Sequence, residues 1–367
     1  MLKNSLDKIK GEVRALRAYA LSPDRARVKI NQNENPWDLP ARIKEETLRQ
    51  LSARRWSHYP DFVPVSLHAR LAEFVGWVAD GIIAGNGSNE LIQALLMVTV
   101  GPGKRVLICE PTFALYRQIA TVLGGEVISV PLSAELNYDV AALAEAVRHL
   151  KPDVTIICSP NNPTGCVLSD GDLRALLEST DGLVVVDEAY HEFAEHSVVP
   201  LLREHQNLVV LRTFSKAMAM AALRVGYLLA APELAREISK AVLPYNLNAI
   251  SQIAAEVAVG MYEEALRPLV RRIIDERERL YDELGRIVGV TPVRSQANFM
   301  VVRSTVASKL VYADLLKRNI LIRDVSSYPM LSEYFRISVG TPEENDLLIE
   351  ALQNMFGVEL GPDTEGT

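Results

Sequence analysis

A lysine followed by small apolar residues, Lys216 in the segment RTFSKAMAMAALRVG, is the first candidate for covalent chemistry. Desolvation and nearby positive charge lower the pKa of an amine, so a lysine in such a setting can form a Schiff base with a carbonyl compound. Thr213 and Ser215 add hydroxyls and Arg224 adds a guanidinium, which together suit a phosphate group. A single lysine is more often a solvated surface residue, so Lys216 needs support from other segments.

A second candidate is the acidic residue that ends an apolar run, Asp187 in LVVVDEAY. A carboxylate at the end of a buried strand needs a cationic partner. A protonated pyridine nitrogen would be such a partner, and the carboxylate would keep the ring protonated as an electron sink. The alternative role for Asp187 is the N-cap of a helix in the segment that follows.

Two further apolar runs lead into segments rich in Asn, Gly and Ser. The run GIIAG is followed by NGSNE, where the backbone N–H groups of Ser88 and Asn89 at a helix N-terminus would bind a phosphate. The run VTIICS is followed by PNNPTG, where asparagines such as Asn162 can point toward a ligand. An N-cap with a tight turn is the alternative for the first segment, and an ordinary turn is the alternative for the second.

The elements that must position these residues follow from the alternation of short apolar runs with helical patterns. Runs rich in β-branched residues and apolar on both faces are typical of parallel strands covered by helices. The pattern therefore predicts a large α/β domain with a mostly parallel sheet over residues 41–260, preceded by an N-terminal arm at 1–40. Residues 261–367 are expected to form a smaller α+β domain.

The four chemical segments all follow predicted strands, and the carboxyl ends of parallel strands are where ligands bind in such sheets. One segment offers an amine, one a carboxylate, one a pair of asparagines and one a phosphate-binding turn. A phosphorylated pyridine aldehyde needs all four kinds of contact. The combination therefore predicts a phosphopyridoxal site on Lys216, although no single segment does so.

The composition limits the classes of function further. A net charge of −7 gives no reason to expect nucleic-acid binding, which requires clustered Lys and Arg. Cys109, Cys158 and Cys166 lack the spacing of metal ligands and are expected to be reduced thiols, so no metal site is predicted. No run reaches the roughly 18 apolar residues of a membrane span, and the N-terminus lacks a signal-peptide core. We therefore expect a cytoplasmic protein that contacts no membrane.

The motifs, in their order, resemble those of the fold-type I pyridoxal-phosphate-dependent aminotransferases of class I and II, from about residue 12 to residue 355. SPNNPTG, DEAY and RTFSKAMAMAALRVGY are the most specific, and GNGSNE and CEPTFALY support them. The resemblance implies a pyridoxal 5′-phosphate cofactor and a homodimer with shared active sites. Within this class the chain is most similar to histidinol-phosphate aminotransferases, which implies transamination of histidinol phosphate with 2-oxoglutarate to imidazole acetol phosphate and glutamate in histidine biosynthesis.

The resemblance also implies roles for residues that bind the cofactor. Lys216 would hold it covalently and move the proton between the substrate carbon and the cofactor, and Asp187 would pair with the pyridine nitrogen. Asn162 and Tyr190 would bind the phenolic oxygen, while Phe113 would stack on the ring. The implied phosphate contacts are Ser88, Asn89, Thr213, Ser215, Arg224 and, reaching across from the other subunit, Tyr59.

Substrate contacts are implied for Arg336, Arg323, Tyr19, Asn35 and Asn162. Arg336 matches the arginine that clamps a carboxylate, for which guanidinium geometry is well suited, although a surface arginine on a strand is the alternative. Arg323 matches a phosphate-binding arginine, and Tyr19 matches a tyrosine from the neighbouring subunit's arm. Asn35 lies on a segment that lines the site in this family.

The sequence departs from the family's usual motifs at one place, and its motifs are compatible with three alternative functions. Trp37 and Asp38 replace the usual Tyr-Gly after NENP, which changes how the arm is expected to enter the site. A decarboxylase of the phosphothreonine type uses almost the same motifs, because the outcome depends on which substrate bond is perpendicular to the ring. An aromatic amino-acid aminotransferase needs a carboxylate where histidinol phosphate has its phosphate. A regulator that only senses the cofactor would need an added DNA-binding module.

Overall fold

The computed structural model describes residues 5–16, 18 and 23–357, which form thirteen β-strands and thirteen α-helices. The strands in chain order are β1 (Val28–Lys29), β2 (Ile82–Gly85), β3 (Arg105–Glu110), β4 (Glu126–Pro131), β5 (Val154–Cys158), β6 (Leu183–Asp187), β7 (Leu208–Thr213), β8 (Gly226–Leu229), β9 (Val290–Pro292), β10 (Phe299–Ser304), β11 (Ile320–Leu321), β12 (Arg323–Asp324) and β13 (Tyr334–Ser338).

The helices in chain order are α1 (Gly11–Ala15), α2 (Ala41–Ser52), α3 (Val65–Val75), α4 (Ser88–Thr99), α5 (Leu115–Leu123), α6 (Val140–Leu150), α7 (Asp170–Glu178), α8 (His191–Ala194), α9 (Pro232–Ser239), α10 (Ala249–Gly260), α11 (Arg267–Leu284), α12 (Ser308–Lys317) and α13 (Pro342–Phe356). Polar side chains start several of them: Asp139 accepts a bond from the first turn of α6, and Ser169 does so for α7. Thr341 and Glu344 form a capping box on α13.

Seven strands form the central sheet in the order β2-β8-β7-β6-β5-β3-β4. The pairs from β7 through β4 are all parallel, and β8 alone runs against its neighbours β7 and β2. Parallel strands need crossover connections, which the intervening helices supply. The predicted α/β fold with a large, mostly parallel sheet is confirmed.

Both faces of the sheet are buried at the inner strands β5, β6 and β7, which explains why these strands are mostly apolar, whereas the edge strand β4 is partly exposed. In β6, Val184 and Val186 belong to one hydrophobic cluster, whereas Val185 belongs to another on the opposite face. The same alternation separates Val210 from Val209 in β7. A strand between two helix layers has no solvent face on which polar residues would be favoured.

A second sheet is antiparallel, with the order β12-β13-β10-β9, and a third hydrophobic cluster packs it against α11 and α13. The N-terminal segment joins this region, because β1 pairs in parallel with β11 through Val28 and Ile320. We propose from this pairing that the part of the predicted 1–40 arm around β1 contributes to the smaller domain predicted at 261–367, and that residues 41–260 form the large domain. In the part of the chain that the structure describes, no helix is both long and apolar enough to cross a membrane.

Candidate active site

A cleft of about 410 Å³ opens where β5, β6 and β7 end, between the central sheet and the second sheet. All of the predicted site residues line it except Tyr19, Asn35 and Tyr59. The residues that line it are Ser88, Asn89, Phe113, Asn162, Asp187, Tyr190, Thr213, Ser215, Lys216, Arg224, Arg323 and Arg336. The strand-end rule therefore brings together segments that lie more than 200 residues apart in the chain.

Asp187 is the last residue of β6 and is almost fully buried at the inner end of the cleft. One carboxylate oxygen accepts a bond of 2.6 Å from the Tyr116 hydroxyl, and the other accepts one of 3.0 Å from the Ala189 amide. Burial raises the pKa of this carboxyl to about 6, against the effect of those two bonds. None of the described residues forms an ion pair with it, so Asp187 suits a cationic ligand.

Lys216 also lines the cleft, and its Nζ donates a hydrogen bond to the backbone carbonyl of Gln32 at 3.0 Å. Burial, and after it the charge of Arg336, lowers the pKa of this ammonium to about 7. A substantial fraction of the amine is therefore neutral near neutral pH. Neutral amines attack carbonyl carbons, so the geometry gives Lys216 the reactivity that its sequence context predicts.

The first turn of α4 faces the cleft with no capping side chain, because its N-cap residue is Gly87. Gly87 has a φ of +78°, and a Cβ there would lie 2.4 Å from the Arg224 guanidinium. A Cβ on Gly226 in β8 would lie 2.4 Å from the Ser88 amide nitrogen. These two glycines therefore allow β8, Arg224 and the start of α4 to approach closely, which leaves N–H groups and a cation aimed at one point.

Arg224 and its neighbours complete this corner of the cleft. Its guanidinium donates to the Ser215 hydroxyl at 3.0 Å, and the hydroxyls of Ser215 and Thr213 are also 3.0 Å apart. Arg224 adopts a left-handed backbone with φ +53°, which is strained for a residue with a side chain. No described carboxylate pairs with it. The corner fits a phosphate dianion.

Tyr190 and Asn162 also line the cleft, and their side chains form hydrogen bonds there. The Tyr190 hydroxyl accepts a bond of 3.1 Å from Asn33 and a longer one of 3.5 Å from Asn162. Burial raises the pKa of this hydroxyl above its ordinary value, so it stays protonated and can donate to a ligand. The Asn162 side-chain oxygen accepts a hydrogen bond from Arg336 at 2.6 Å, so Tyr190, Asn162 and Arg336 belong to one hydrogen-bond network.

Arg323 and Arg336 are direct cross-strand partners in the β12–β13 pair. Like charges in directly opposed positions repel each other, so this pairing is unfavourable unless an anion lies between them. Arg336 is held by Asn162 and by the carbonyl of Asn31 at 2.9 Å. Arg323 forms no ion pair with any described residue. The two strands therefore present a double positive charge to an anionic substrate.

Three predicted residues lie elsewhere. Asn35 donates to the carbonyls of Lys216 and Ala217 and lines a neighbouring cavity, so it contacts the lysine backbone rather than the cleft. Tyr59 is 80% exposed and stacks on Tyr245 at 4.5 Å, outside the cleft of its own chain. Tyr19 falls outside the described residues.

Sequence reasoning missed Tyr116 and the segment from Asn31 to Glu34, which also line the cleft. Tyr116 is the sixth residue after β3, and nothing in PTFALY marks its hydroxyl as the partner of Asp187. Gln32 is missed because it acts through its backbone carbonyl, which carries no residue-type signal. The NQNENP segment indicates that this region lies near the site, but the family resemblance assigns only Asn35 in it to the substrate.

Comparisons with known proteins agree with this geometry. The family model "Aminotransferase class I and II" matches residues 26–352. The histidinol-phosphate aminotransferase of Chlorobium phaeovibrioides is 38% identical over 347 residues, which are 94% of this chain and 96% of the relative. The chain belongs to the class I and II aminotransferases, and within them to the histidinol-phosphate aminotransferase family. The predictions of the family, of an enzyme and of its pyridoxal 5′-phosphate cofactor are confirmed.

Two solved structures show how widely the fold is shared. Histidinol-phosphate aminotransferase from Sinorhizobium meliloti, in complex with pyridoxal-5′-phosphate, matches with a TM-score of 0.85 at 23% identity and covers 95% of this chain and 98% of its own. L-threonine-O-3-phosphate decarboxylase from Porphyromonas gingivalis matches with a TM-score of 0.79 at 24% identity, covering 89% and 99%. At such identities the likeness shows the fold alone, so the site must decide the reaction.

Proposed function

We propose that the chain transfers the amino group of histidinol phosphate to 2-oxoglutarate. The observation that carries this proposal is the pair of directly opposed arginines, Arg323 and Arg336, at a cleft that also contains a reactive lysine. One arginine suits one carboxylate, and two together suit the phosphate dianion of one half-reaction or the two carboxylates of 2-oxoglutarate in the other. The similarity to curated histidinol-phosphate aminotransferases supports the same substrate.

Lys216 is the catalytic residue in this account. Bound pyridoxal 5′-phosphate would supply a carbonyl carbon for covalent attachment of amines and a ring that withdraws electrons. The Lys216 amine would hold the cofactor between substrates and, when free, would take up a proton from the substrate carbon and give it back. Its lowered pKa lets it accept and return that proton near neutral pH.

Asp187 and Tyr190 would bind the two polar positions of the cofactor ring, its nitrogen and its phenolic oxygen. The Asp187 carboxylate would bind the ring N–H and stay charged beside it, with its orientation fixed by Tyr116 and Ala189. Tyr190 and Asn162 would donate to the phenolic oxygen, and Phe113 would cover the ring face. Because Asn162 also contacts Arg336, substrate binding and cofactor orientation share one hydrogen-bond network.

The corner formed by α4 and Arg224 would bind the cofactor phosphate. The first-turn N–H groups at Ser88 and Asn89, the hydroxyls of Thr213 and Ser215 and the Arg224 guanidinium are the donors present there. Asn35 would support Lys216 by fixing its carbonyl. Tyr19 remains assigned to the substrate only by resemblance.

The proposed assembly is a homodimer in which the partner subunit's Tyr59 completes the phosphate corner. Tyr59 is highly exposed, and Phe62 and Leu243 nearby in the structure are 61% and 71% exposed, which leaves an apolar surface that a second copy could cover. We also propose that the enzyme works in the cytoplasm, since its three buried cysteines are free thiols.

Steady-state kinetics with four donors test the substrate. We expect kcat/KM for histidinol phosphate to exceed that for histidinol, phenylalanine and tyrosine by about 100-fold or more, since histidinol brings no anion to the two arginines and each amino acid brings a single carboxylate. Glutamate formation from 2-oxoglutarate measures the turnover. Release of carbon dioxide from O-phosphothreonine faster than this turnover would establish the decarboxylase instead, and a preference for phenylalanine would establish an aromatic aminotransferase.

A further inference from the structure

Asn31 is a buried polar residue whose side chain makes no hydrogen bond to any described residue. Its side chain is 3% exposed and its Oδ1 has no hydrogen-bond partner. Among the residues that the structure describes, none accepts a bond from its Nδ2 either. Buried amides are nearly always hydrogen-bonded, because an unsatisfied one destabilises the folded state. A ligand is the natural partner for such a group beside a cleft.

The backbone of Asn31 is held firmly, so its amide has a fixed position. The preceding residue, Ile30, donates to Leu321 at 3.0 Å and accepts from Ser338 at 2.8 Å. The Asn31 carbonyl accepts from Arg336 at 2.9 Å. Two strands and one arginine therefore fix the residue, whereas its side chain has no partner among the described residues.

Asn31 lies where two cavities meet. It lines the catalytic cleft together with Arg323 and Arg336, and it also lines a smaller side cavity of about 260 Å³ together with Arg323 and Lys309. A group that binds between the two arginines would therefore lie near Asn31. Rotation of the amide by half a turn exchanges its oxygen and nitrogen, so the N–H₂ group can face that anion.

We propose that Asn31 is a further substrate-binding residue, whose amide donates to the phosphate of the amine substrate and favours phosphate over carboxylate. A carboxylate has two oxygens, which a single arginine satisfies in bidentate fashion. A phosphate ester has three terminal oxygens, and a third donor beside Arg323 and Arg336 matches the additional one. This inference rests on the proposed function for the identity of the substrate, but not for the presence of an anion site.

Three variants test the inference. Asn31→Asp keeps the shape and the acceptor but replaces the donor with a negative charge, and Asn31→Leu keeps the shape without polarity. Asn354→Asp, on the exposed outer face of α13, is the control for added charge. For each protein we would measure KM for histidinol phosphate and for 2-oxoglutarate, the inhibition constant of inorganic phosphate, and the melting temperature without substrate.

We expect Asn31→Asp to raise KM for histidinol phosphate and the inhibition constant of phosphate by about tenfold or more, since a hydrogen bond to a charged group is replaced by repulsion. KM for 2-oxoglutarate should also rise in Asn31→Asp, since its carboxylates meet the same added charge, but it should change by less than about threefold in Asn31→Leu. Asn31→Leu should raise KM for histidinol phosphate and the inhibition constant of phosphate, yet leave the melting temperature unchanged or higher, because it removes an unsatisfied buried amide. The control should resemble the wild type in all four measurements.

Two results would overturn the inference. If Asn31→Asp leaves KM for histidinol phosphate unchanged or lowers it, the amide does not donate to the phosphate. If Asn31→Leu lowers the melting temperature and shifts both KM values alike, Asn31 is a structural residue. Failure of the wild type to use histidinol phosphate would reject the proposed function separately, and inorganic phosphate would still test the anion site.

Discussion

At the residue scale, the reactivity of Lys216 comes from burial more than from any single neighbour. Its pKa is lowered to about 7 from an ordinary value of 10.5. Because the neutral amine is the nucleophile, the rate at which the cofactor-free enzyme captures pyridoxal 5′-phosphate should rise with pH and reach half its maximum near pH 7. Stopped-flow absorbance measures this rate. A rate that keeps rising until pH approaches 10 would contradict the account.

Burial of the charged Asp187 side chain lowers the stability of the cofactor-free folded protein. Its raised pKa means that the folded state favours the protonated carboxyl, so stability falls as pH rises from 3.8 through about 6. A shift of this size corresponds to about 3 kcal/mol. We expect Asp187→Asn to stabilise the cofactor-free protein by up to that amount at pH 7, and by much less near pH 4, while weakening cofactor binding.

Urea unfolding of both cofactor-free proteins at the two pH values measures this effect, and a cofactor titration at pH 7 measures the affinity. Equal stability of the variant and the wild type at pH 7 would show that the carboxylate is not penalised by burial. Undiminished cofactor affinity in the variant would show that Asp187 does not bind the ring.

At the element scale, the phosphate corner depends on how closely β8 approaches the start of α4. A Cβ on Gly226 would lie 2.4 Å from the Ser88 nitrogen and 2.7 Å from the Gly87 carbonyl carbon, which are backbone atoms that cannot rotate away. Gly226→Ala should therefore displace the first turn of α4 and weaken cofactor binding by about tenfold or more. Gly101→Ala is the matched control, because a Cβ there meets nothing within 4 Å.

Equilibrium dialysis of pyridoxal 5′-phosphate against both variants gives the two affinities. If the Gly226 and Gly101 variants bind the cofactor equally well, the close packing of β8 on α4 is not what places the phosphate donors.

Sequence patterns predict most strands of the central sheet, because its inner strands are buried on both faces and short apolar runs of β-branched residues are typical of such strands. They also predict which strand ends line the cleft. They do not predict that β8 runs antiparallel, since strand direction follows from the connections rather than from residue type. The opposed register of Arg323 and Arg336 likewise depends on pairing between β12 and β13, which no local pattern encodes. Tyr116 and Gln32 enter the site only through tertiary contacts.

At the scale of the whole molecule, the shared-site dimer predicts complementation between inactive variants. Lys216→Ala and Tyr59→Ala should each be nearly inactive alone. A hybrid dimer has one site with both defects and one intact site, because the partner subunit's Tyr59 serves the chain that retains its lysine. Co-expressed subunits in equal amounts should therefore regain about a quarter of wild-type activity. Recovery no greater than the sum of the two variants would show that each chain completes its own site.

The central claim is that Lys216 and its cleft carry out transamination of histidinol phosphate, and a single half-reaction tests it most directly. Cofactor-loaded enzyme is mixed with histidinol phosphate alone, and the visible absorbance of the bound cofactor and the keto product are measured together. We expect the absorbance to disappear, one keto product to form per active site, and 2-oxoglutarate to restore the absorbance, with none of these changes in Lys216→Ala. Unchanged wild-type absorbance with histidinol phosphate, or product formed without 2-oxoglutarate beyond one per site, would contradict it.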